Sequence, residues 1–152
     1  MNALSISFTE LTLVVRDMKA SLAFYRALGM TIPDATIWPK PENGHHVSIA
    51  LAGGIRMALD SAAMTRSFDP NLPTGPLPST NAFVFSVASR EEVETLYGAM
   101  TSAGYAGRLA PFDAFWGARY AVIDDPDGNH VGIMGPVDKK AAFMPSTLQD
   151  HK

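Results

Sequence analysis

One order of secondary-structure elements occurs twice along this chain, and this repetition restricts the possible folds more than any other feature. The first copy begins with Glu10–Val15, where one side of the segment is more apolar than the other, as in a half-buried strand. Met18–Leu28 follows with apolar residues at helical spacing, Asp17 in position to cap the helix and Gly29 in position to end it. The first copy therefore starts with a strand that leads directly into a capped helix.

The first copy continues with two strand-like segments separated by a pair of glycines. His46–Ala52 and Ile55–Asp60 flank Gly53-Gly54, and this pattern predicts a β-hairpin with a two-glycine turn. A loop rich in proline, glycine and asparagine precedes the hairpin. The first half of the chain is therefore expected to have the order βαβββ.

The second copy repeats this order from Ala82 onward. An alternating segment, residues 82–87, leads to Ser89, which forms with Glu92 the capping-box signature of a helix start. Apolar residues at helical spacing continue towards Gly104, and a further strand is expected near residues 107–112. The order of elements repeats, although few residue identities do.

The last hairpin has the clearest turn signal in the sequence. Two apolar runs, Tyr120–Ile123 and His130–Met134, flank the five residues Asp125 to Asn129. Proline there fixes φ, glycine accepts a positive φ, and aspartate and asparagine bond to nearby backbone. The segment is therefore predicted to be a strand, a tight turn and a strand, which completes the second βαβββ unit.

The two copies define the expected domain organisation. We expect one domain over residues 1–136, built from modules at about 8–60 and 80–136 with a proline-rich linker at 61–79. Residues 137–152 form a C-terminal tail without strong periodicity.

Composition excludes several classes of function. With 152 residues, 47% of them hydrophobic, 18% charged and a formal net charge of −3, the chain has the composition of a soluble domain. It has no cluster of lysine and arginine, so neither nucleic acid nor a membrane surface is an expected partner. It has no cysteine, which excludes disulfides and thiolate chemistry. No signal peptide or membrane-spanning apolar run is evident, so a cytoplasmic location is expected.

The last hairpin resembles that of the vicinal oxygen chelate superfamily, which includes glyoxalase I, extradiol dioxygenases, and bleomycin and fosfomycin resistance proteins. The resemblance rests on the Asp-Pro-Asp-Gly-Asn turn and on the strands that flank it within Phe115–Met134. It implies an α+β fold in which paired βαβββ modules form a cup-shaped mixed sheet, the glyoxalase/bleomycin resistance fold. Helices would cover the outer faces of the sheets, and the inner faces would make the cup.

The resemblance also implies four metal-ligand positions, one on the first and one on the last strand of each module. Matched residue by residue, these positions are Glu10, Ala58, Ala82 and Gly132. Only Glu10 can coordinate a metal, so no metal cofactor is expected at the family site. The alternative is a displaced divalent-metal site made by Glu10, His46 and His130.

The leading hypothesis is a metal-free protein that sequesters a small apolar or aromatic molecule in the sheet cup, as drug-binding relatives do. Trp116, in the loop before the last hairpin, is expected to stack on the ligand, whereas Phe112 and Tyr120 are expected to fill the module interface and the strand ends. The residues expected to contact the ligand are Glu10, His46, Arg56, Trp116, Arg119 and His130.

Glu10 has two open interpretations. A carboxylate on a core strand is costly to bury unpaired, so Glu10 either serves a ligand, as a general base or counter-charge, or pairs with Arg56. A catalytic Glu10 would make the protein an enzyme of the lyase, isomerase or dioxygenase type. Such an enzyme would use the displaced metal or an acid–base pair of Glu10 and His130. Both a binding protein and an enzyme remain open at this point.

A third interpretation is a domain that mainly associates with itself or with a partner. The resemblance implies a homodimer, and the apolar segment Ala141–Met144 of the tail is expected to dock either on the body of the protein or on a second chain.

Overall fold

A computed structural model describes residues 5–76 and 78–148. The chain divides into two compact units, residues 1–75 and 76–152, and the boundary falls within the proposed linker.

The first unit contains a four-stranded mixed sheet with the strand order β1-β4-β3-β2. Strand β1 is parallel to β4, and the β2–β3 and β3–β4 pairs are antiparallel. The predicted order βαβββ is confirmed, and its elements are β1 (Glu10–Val15), α1 (Met18–Leu28), β2 (Ile37–Trp38), β3 (His46–Ala50) and β4 (Arg56–Ser61), followed by a short helix α2 (Ala62–Arg66).

Helix α1 begins and ends where the sequence predicts. The Asp17 side chain accepts a hydrogen bond from the backbone N–H of Ala20 at 3.0 Å and so satisfies a free donor of the first turn. Gly29 ends the helix at φ 114°, a left-handed conformation that costs glycine little.

Two details of the first unit differ from the prediction. The connection between β3 and β4 is a five-residue loop closed by the Leu51 N–H donating to the Ile55 carbonyl at 2.9 Å, not a two-glycine turn. Gly53 and Gly54 both have positive φ, but they lie inside a 3-10 turn (Ala52–Gly54). The linker also begins with α2, capped by the Ser61 side chain, and five residues are too short to show a helical period in the sequence.

The second unit repeats the arrangement with the strand order β5-β8-β7-β6. Strand β5 is parallel to β8, and the β7–β8 and β6–β7 pairs are antiparallel. Its elements are β5 (Ala82–Ser86), α3 (Arg90–Ser102), β6 (Gly107–Asp113), β7 (Arg119–Asp124) and β8 (His130–Met134).

Local hydrogen bonds fix the start of α3 and the turn of the last hairpin. The Ser89 hydroxyl accepts from the Glu92 N–H at 3.2 Å, and the Glu92 carboxylate accepts from the Ala88 N–H at 2.8 Å, so the predicted capping box forms with its return bond one residue earlier. In the last hairpin, the Asp125 carboxylate accepts from the backbone N–H groups of Asp127 and Asn129, each at 2.9 Å. The turn chemistry expected from the sequence is therefore present.

Each sheet buries one face against a helix. In the first unit the buried set is Leu13, Val15, Val47, Ile49, Met57 and Leu59, and in the second it is Ala121, Ile123, Val131 and Ile133, beneath Val93 and Met100 of α3. Because side chains alternate along a strand, the intervening residues point away from these helices.

The faces that point away from α1 and α3 differ in chemistry. We call the first the charged face, made of Glu10, Thr12, Val14, His46, Ser48, Ala50, Arg56, Ala58 and Asp60. We call the second the aromatic face, with Trp116 in contact with Tyr120; it is made of Ala82, Val84, Ser86, Phe112, Tyr120, Val122, Asp124, His130, Gly132 and Met134.

The beginning of the tail is part of the second unit. Asp138 donates its N–H to the Gly117 carbonyl at 2.9 Å, and Phe143 donates to the Phe115 carbonyl at 2.7 Å. Gly117 has φ 93°, and a Cβ there would meet the Asp138 carbonyl, so glycine is required. The sequence left open whether Ala141–Met144 docks on the body of the protein or on a second chain. In the structure this segment docks on the body of its own chain.

Among residues 5–76 and 78–148, no helix is both long enough and apolar enough to cross a membrane.

Candidate ligand-binding faces

The charged face pairs Glu10 with Arg56 across adjacent strands. Arg56 Nε donates to Glu10 Oε2 at 3.2 Å, and the Thr12 hydroxyl donates to Glu10 Oε1 at 3.3 Å. The side chain of Glu10 is 30% exposed and that of Arg56 is 57% exposed, so solvent reaches both groups. A pair this exposed contributes little to stability and keeps both charges accessible.

A second pair on the charged face joins His46 to Asp60. His46 Nδ1 lies 2.6 Å from Asp60 Oδ1, and the two residues are direct cross-strand neighbours. A carboxylate accepts hydrogen bonds, so Nδ1 carries a proton in this contact, and Nε2 would be the acceptor in the neutral form of the ring. Asp60 therefore orients the imidazole of His46.

Four aromatic rings lie in edge-to-face contact at one end of the aromatic face. The centroid of the Trp116 ring is 5.2 Å from the ring centroid of Phe115 and 5.2 Å from that of Tyr120. The ring centroids of Phe112 and Tyr120 are 5.9 Å apart. Such contacts stabilise a fixed arrangement of rings. Phe112, at the edge of this group, is 37% exposed.

Tyr120 lies over Gly132 of the neighbouring strand. A Cβ built on Gly132 would come within 2.8 Å of Tyr120 Cε2 and 2.9 Å of Cζ, which is closer than real carbon contacts allow. The bare backbone of Gly132 therefore makes room for the phenol ring. Partial burial raises the pKa of the Tyr120 hydroxyl above its ordinary value of 10.0.

His130 lies at the other end of the aromatic face, beside Asp124. His130 Nδ1 is 3.1 Å from Asp124 Oδ1, and Arg108 donates to both oxygens of Asp124 at 2.7 and 3.0 Å. Burial raises the pKa of Asp124, but the hydrogen bonds and charges of Arg108 and His130 outweigh burial, so its pKa lies below the ordinary carboxyl value. Asp124 therefore stays ionised at neutral pH and holds the imidazole in place.

Arg119 lies on the opposite side of the second sheet from Tyr120. Arg119 Nη2 is 2.6 Å from Oε1 of Glu94 in α3, and Arg119 Nη1 is 3.3 Å from Oδ1 of Asp113. Because Glu94 belongs to the helix that packs on the sheet, Arg119 faces α3 and not the aromatic face. The sequence grouped it with the ligand-contacting residues, and its place in the structure gives no support to that role.

A separate depression of about 400 Å³ lies in the second unit between the tail and the loop after β6. Its walls include Asp113, Ala118 and Phe143, and Arg90 borders it. None of the six residues predicted to contact a ligand lines this depression.

The four positions matched to family metal ligands do not fit a metal in this chain. Glu10 is held by Arg56 and Thr12, Ala58 is fully buried, and Ala82 offers only a methyl group. Gly132 is covered by Tyr120. Within the described part of the chain, no three His, Asp or Glu side chains come together in a way that could hold an ion. His46 with Asp60 and His130 with Asp124 are pairs, not sets of three.

Several of these contacts were not predicted from the sequence. Asp60 and Asp124 orient the two predicted histidines, and Tyr120 replaces a side chain at Gly132. The contact of Asp124 with His130 could have been predicted from the hairpin register. Pairing across the turn at residues 125–129 places Asp124 opposite His130.

Comparison with known proteins identifies the family. The family model described as Glyoxalase/Bleomycin resistance protein/Dioxygenase superfamily matches residues 7–133. A glyoxalase/bleomycin resistance protein/dioxygenase from Nocardioides is 24% identical at a TM-score of 0.68, with 90% of this chain and 87% of that chain covered. A glyoxalase-related enzyme from Fulvimarina pelagi is 20% identical at a TM-score of 0.69, with 86% of this chain and 88% of that chain covered.

A third similar structure carries an enzyme name. Lactoylglutathione lyase from Agrobacterium tumefaciens is 21% identical at a TM-score of 0.61, with 85% of this chain and 92% of that chain covered. At these identities the structures show a shared fold. A comparison with curated proteins found no match. The α+β fold of two four-stranded mixed sheets and the match over residues 7–133 confirm the resemblance seen in the last hairpin: this chain belongs to the glyoxalase/bleomycin resistance protein/dioxygenase superfamily.

Proposed function

We propose that this protein binds a small molecule with a planar aromatic or apolar body on its aromatic face, without a metal ion. The observation that carries the proposal is the edge-to-face group of Phe112, Tyr120 and Trp116, with Tyr120 lying on the bare backbone of Gly132. This arrangement provides a fixed aromatic wall at a place where relatives would need a ligating side chain.

The apolar surface around these rings supports the proposal. Val84, the cross-strand partner of Gly132, is 49% exposed on edge strand β5, and Phe112 is 37% exposed on the opposite edge strand β6. Gly132, Val122 and Tyr120 lie on the two strands between them, on the same face. Soluble proteins rarely leave a contiguous apolar surface uncovered unless it binds something. Each well-placed aromatic contact with a ligand contributes on the order of 0.5–1.5 kcal/mol beyond simple burial.

His130 gives the aromatic face a polar end. Asp124 fixes the imidazole through Nδ1, so the outer nitrogen of the ring can meet a polar group of the ligand. An apolar wall with a few oriented polar groups is the usual composition of a small-molecule site.

Tryptophan substitution tests the proposal. N-phenyl-1-naphthylamine serves as the probe, because it carries a planar naphthalene ring, is uncharged and becomes fluorescent when bound to an apolar surface. We expect W116A to weaken its binding about tenfold in the presence of a chelator, since a large stacking surface is lost. The matched control is W38A, which removes the other, more exposed tryptophan of the chain and should change the dissociation constant less than twofold.

Two outcomes would contradict the proposed function. One is the absence of probe binding to the unmodified protein. The other is an equal loss of binding in W116A and W38A, because that would show that Trp116 has no special role.

A second candidate function, acid–base catalysis, is favoured by the His46–Asp60 pair. A histidine held by a carboxylate through Nδ1 at 2.6 Å presents Nε2 as a general base. On the same face, Glu10 and Arg56 would bind polar groups of a substrate, or Glu10 would itself take a proton. Turnover of lactoylglutathione, the compound in the name of the Agrobacterium relative, is a first assay. H46Q and E10Q should each abolish it if this function is real, and undiminished turnover in both would exclude it.

The homodimer and the cytoplasmic location stay predictions from the resemblance and the composition. Light scattering of the purified protein tests the first, and a mass of about one chain would contradict it.

A further inference from the structure

The hydroxyl of Tyr120 occupies an unusual place on the aromatic face. Of all heavy atoms near Gly132, Tyr120 Oη is the one closest to where a Cβ of that residue would be. The hydroxyl therefore lies where the side chain of residue 132 would begin. Val84 is the cross-strand partner of Gly132, and His130 and Met134 flank Gly132 on the same strand face.

This hydroxyl has no partner among residues 5–76 and 78–148. The ring of Tyr120 contacts Trp116 and Phe112, and its hydroxyl makes no hydrogen bond to any described residue. Tyr120 is partly buried, and its oxygen is not among the fully buried, unpaired atoms of the described residues, so the hydroxyl can be reached from outside. A tyrosine hydroxyl in such surroundings usually finds a partner. An unpartnered donor on an apolar wall is thus placed to meet a ligand.

The ionisation state of the phenol supports a donor role. Burial raises the pKa of Tyr120, so the hydroxyl stays protonated through the neutral range. The group can then donate to a carbonyl or an oxyanion, and it gains most from an anionic acceptor.

We propose that the Tyr120 hydroxyl determines specificity on the aromatic face, and that it selects planar aromatic ligands that carry a hydrogen-bond acceptor such as a carbonyl or an oxyanion. This inference rests on the proposed function and narrows its ligand class. Ring stacking would supply affinity for any planar molecule, and the hydroxyl would discriminate among them. A ligand that covers this hydroxyl without offering an acceptor leaves the donor unpaired, so the hydroxyl disfavours such a ligand.

Two matched probes separate the hydroxyl from the ring. 1-Anilinonaphthalene-8-sulfonate has the same aromatic skeleton as N-phenyl-1-naphthylamine and adds a sulfonate acceptor. Y120F removes the hydroxyl and keeps the ring over Gly132. We expect Y120F to weaken binding of the sulfonate probe about tenfold, because one charge-assisted hydrogen bond is lost. The uncharged probe should bind Y120F within twofold of the unmodified protein.

The chain offers a close control for this substitution. Tyr97 also lies over a glycine of the second unit, with its Cζ 2.9 Å from a Cβ built on Gly107. Y97F removes a hydroxyl from a similar contact of α3 with β6, away from the aromatic face, and should leave both probes unaffected. G132A is a second test of the same site, because its added methyl displaces the phenol and should weaken the sulfonate probe more than the uncharged one.

The outcomes distinguish this inference from the proposed function. Unchanged binding of the sulfonate probe in Y120F, or an equal loss of both probes, overturns the role of the hydroxyl while leaving the aromatic face intact as a binding surface. Failure of both probes to bind the unmodified protein overturns the proposed function and this inference with it. A selective loss of the sulfonate probe in Y120F, absent in Y97F, supports both.

Discussion

The two units share one backbone plan and differ in what they place on it. Both sheets have the same strand order and the same parallel and antiparallel pairs. At matching register positions the first sheet has Glu10 opposite Arg56, and the second has Ala82 opposite His130. One unit therefore presents paired charges where the other presents a methyl group beside an imidazole.

A second matched pair explains how the aromatic face arises. His46 and Tyr120 occupy corresponding places on β3 and β7, opposite Asp60 and Met134. His46 has a carboxylate across the strand and bonds to it, whereas Tyr120 has a thioether there and leans over Gly132 instead. We infer that the cross-strand partner helps to decide which way these two side chains turn and which chemistry each face carries.

The largest expected effect tests the contact that makes the aromatic face. Gly132 has no positive φ, so alanine would suit its backbone, and the three atoms nearest to a Cβ there all belong to Tyr120. We expect G132A to lower the free energy of unfolding by about 2 kcal/mol, as overpacking does. Urea denaturation of G132A, Y120A and the double variant measures the coupling. If G132A lowers the free energy of unfolding by the same amount in the Y120A background, the contact with Tyr120 is not the reason that residue 132 must be glycine.

A smaller effect concerns the polar end of the same face. We expect D124N to lower the free energy of unfolding by about 1 kcal/mol at pH 7, because the bonds to Arg108 and His130 lose their charge assistance. The folded-state pKa of Asp124 is depressed, so this stability is present above the unfolded-state pKa and is lost as the pH falls through the folded-state pKa. Urea denaturation at pH 7 and near pH 3 should show a smaller difference in unfolding free energy between D124N and the unmodified protein at the lower pH. The same difference at both pH values would contradict the stabilising role of ionised Asp124.

The smallest effect is expected on the charged face. Glu10 and Arg56 are both reached by solvent, so E10Q should lower the free energy of unfolding by only about 0.5 kcal/mol. The loss should diminish further in 1 M salt, where charges are screened within about 3 Å. A loss above about 2 kcal/mol would mean that the pair is a structural element, and the contrast between the two faces would then need revision.

Much of the fold could be predicted from the sequence because local rules dominate there. Asp17 and Gly29 bound α1, Ser89 starts α3, and the Asp-Pro-Asp-Gly-Asn turn sets the last hairpin. The loop after β3 was harder, because Gly53-Gly54 is compatible with more than one loop length.

The candidate site was less predictable, since its contacts join residues far apart in the sequence. The position of Arg119 depends on Glu94, a helix residue 25 positions away, which local patterns do not reveal. The contact of Tyr120 with Gly132 depends on the hairpin register and on which way the ring turns. The place of Trp116 in the loop before β7 could be predicted, and its contact with a ligand stays a prediction.

The most direct test of the central claim uses the two indole N–H signals of the protein. The chain has two tryptophans, Trp38 and Trp116, so an ¹H–¹⁵N correlation spectrum should show two such signals, which W38F assigns. Titration with N-phenyl-1-naphthylamine in the presence of a chelator should shift the Trp116 signal in a saturable way and leave that of Trp38 in place. A shift confined to Trp38, or no shift of either signal at saturating probe, would contradict binding on the aromatic face.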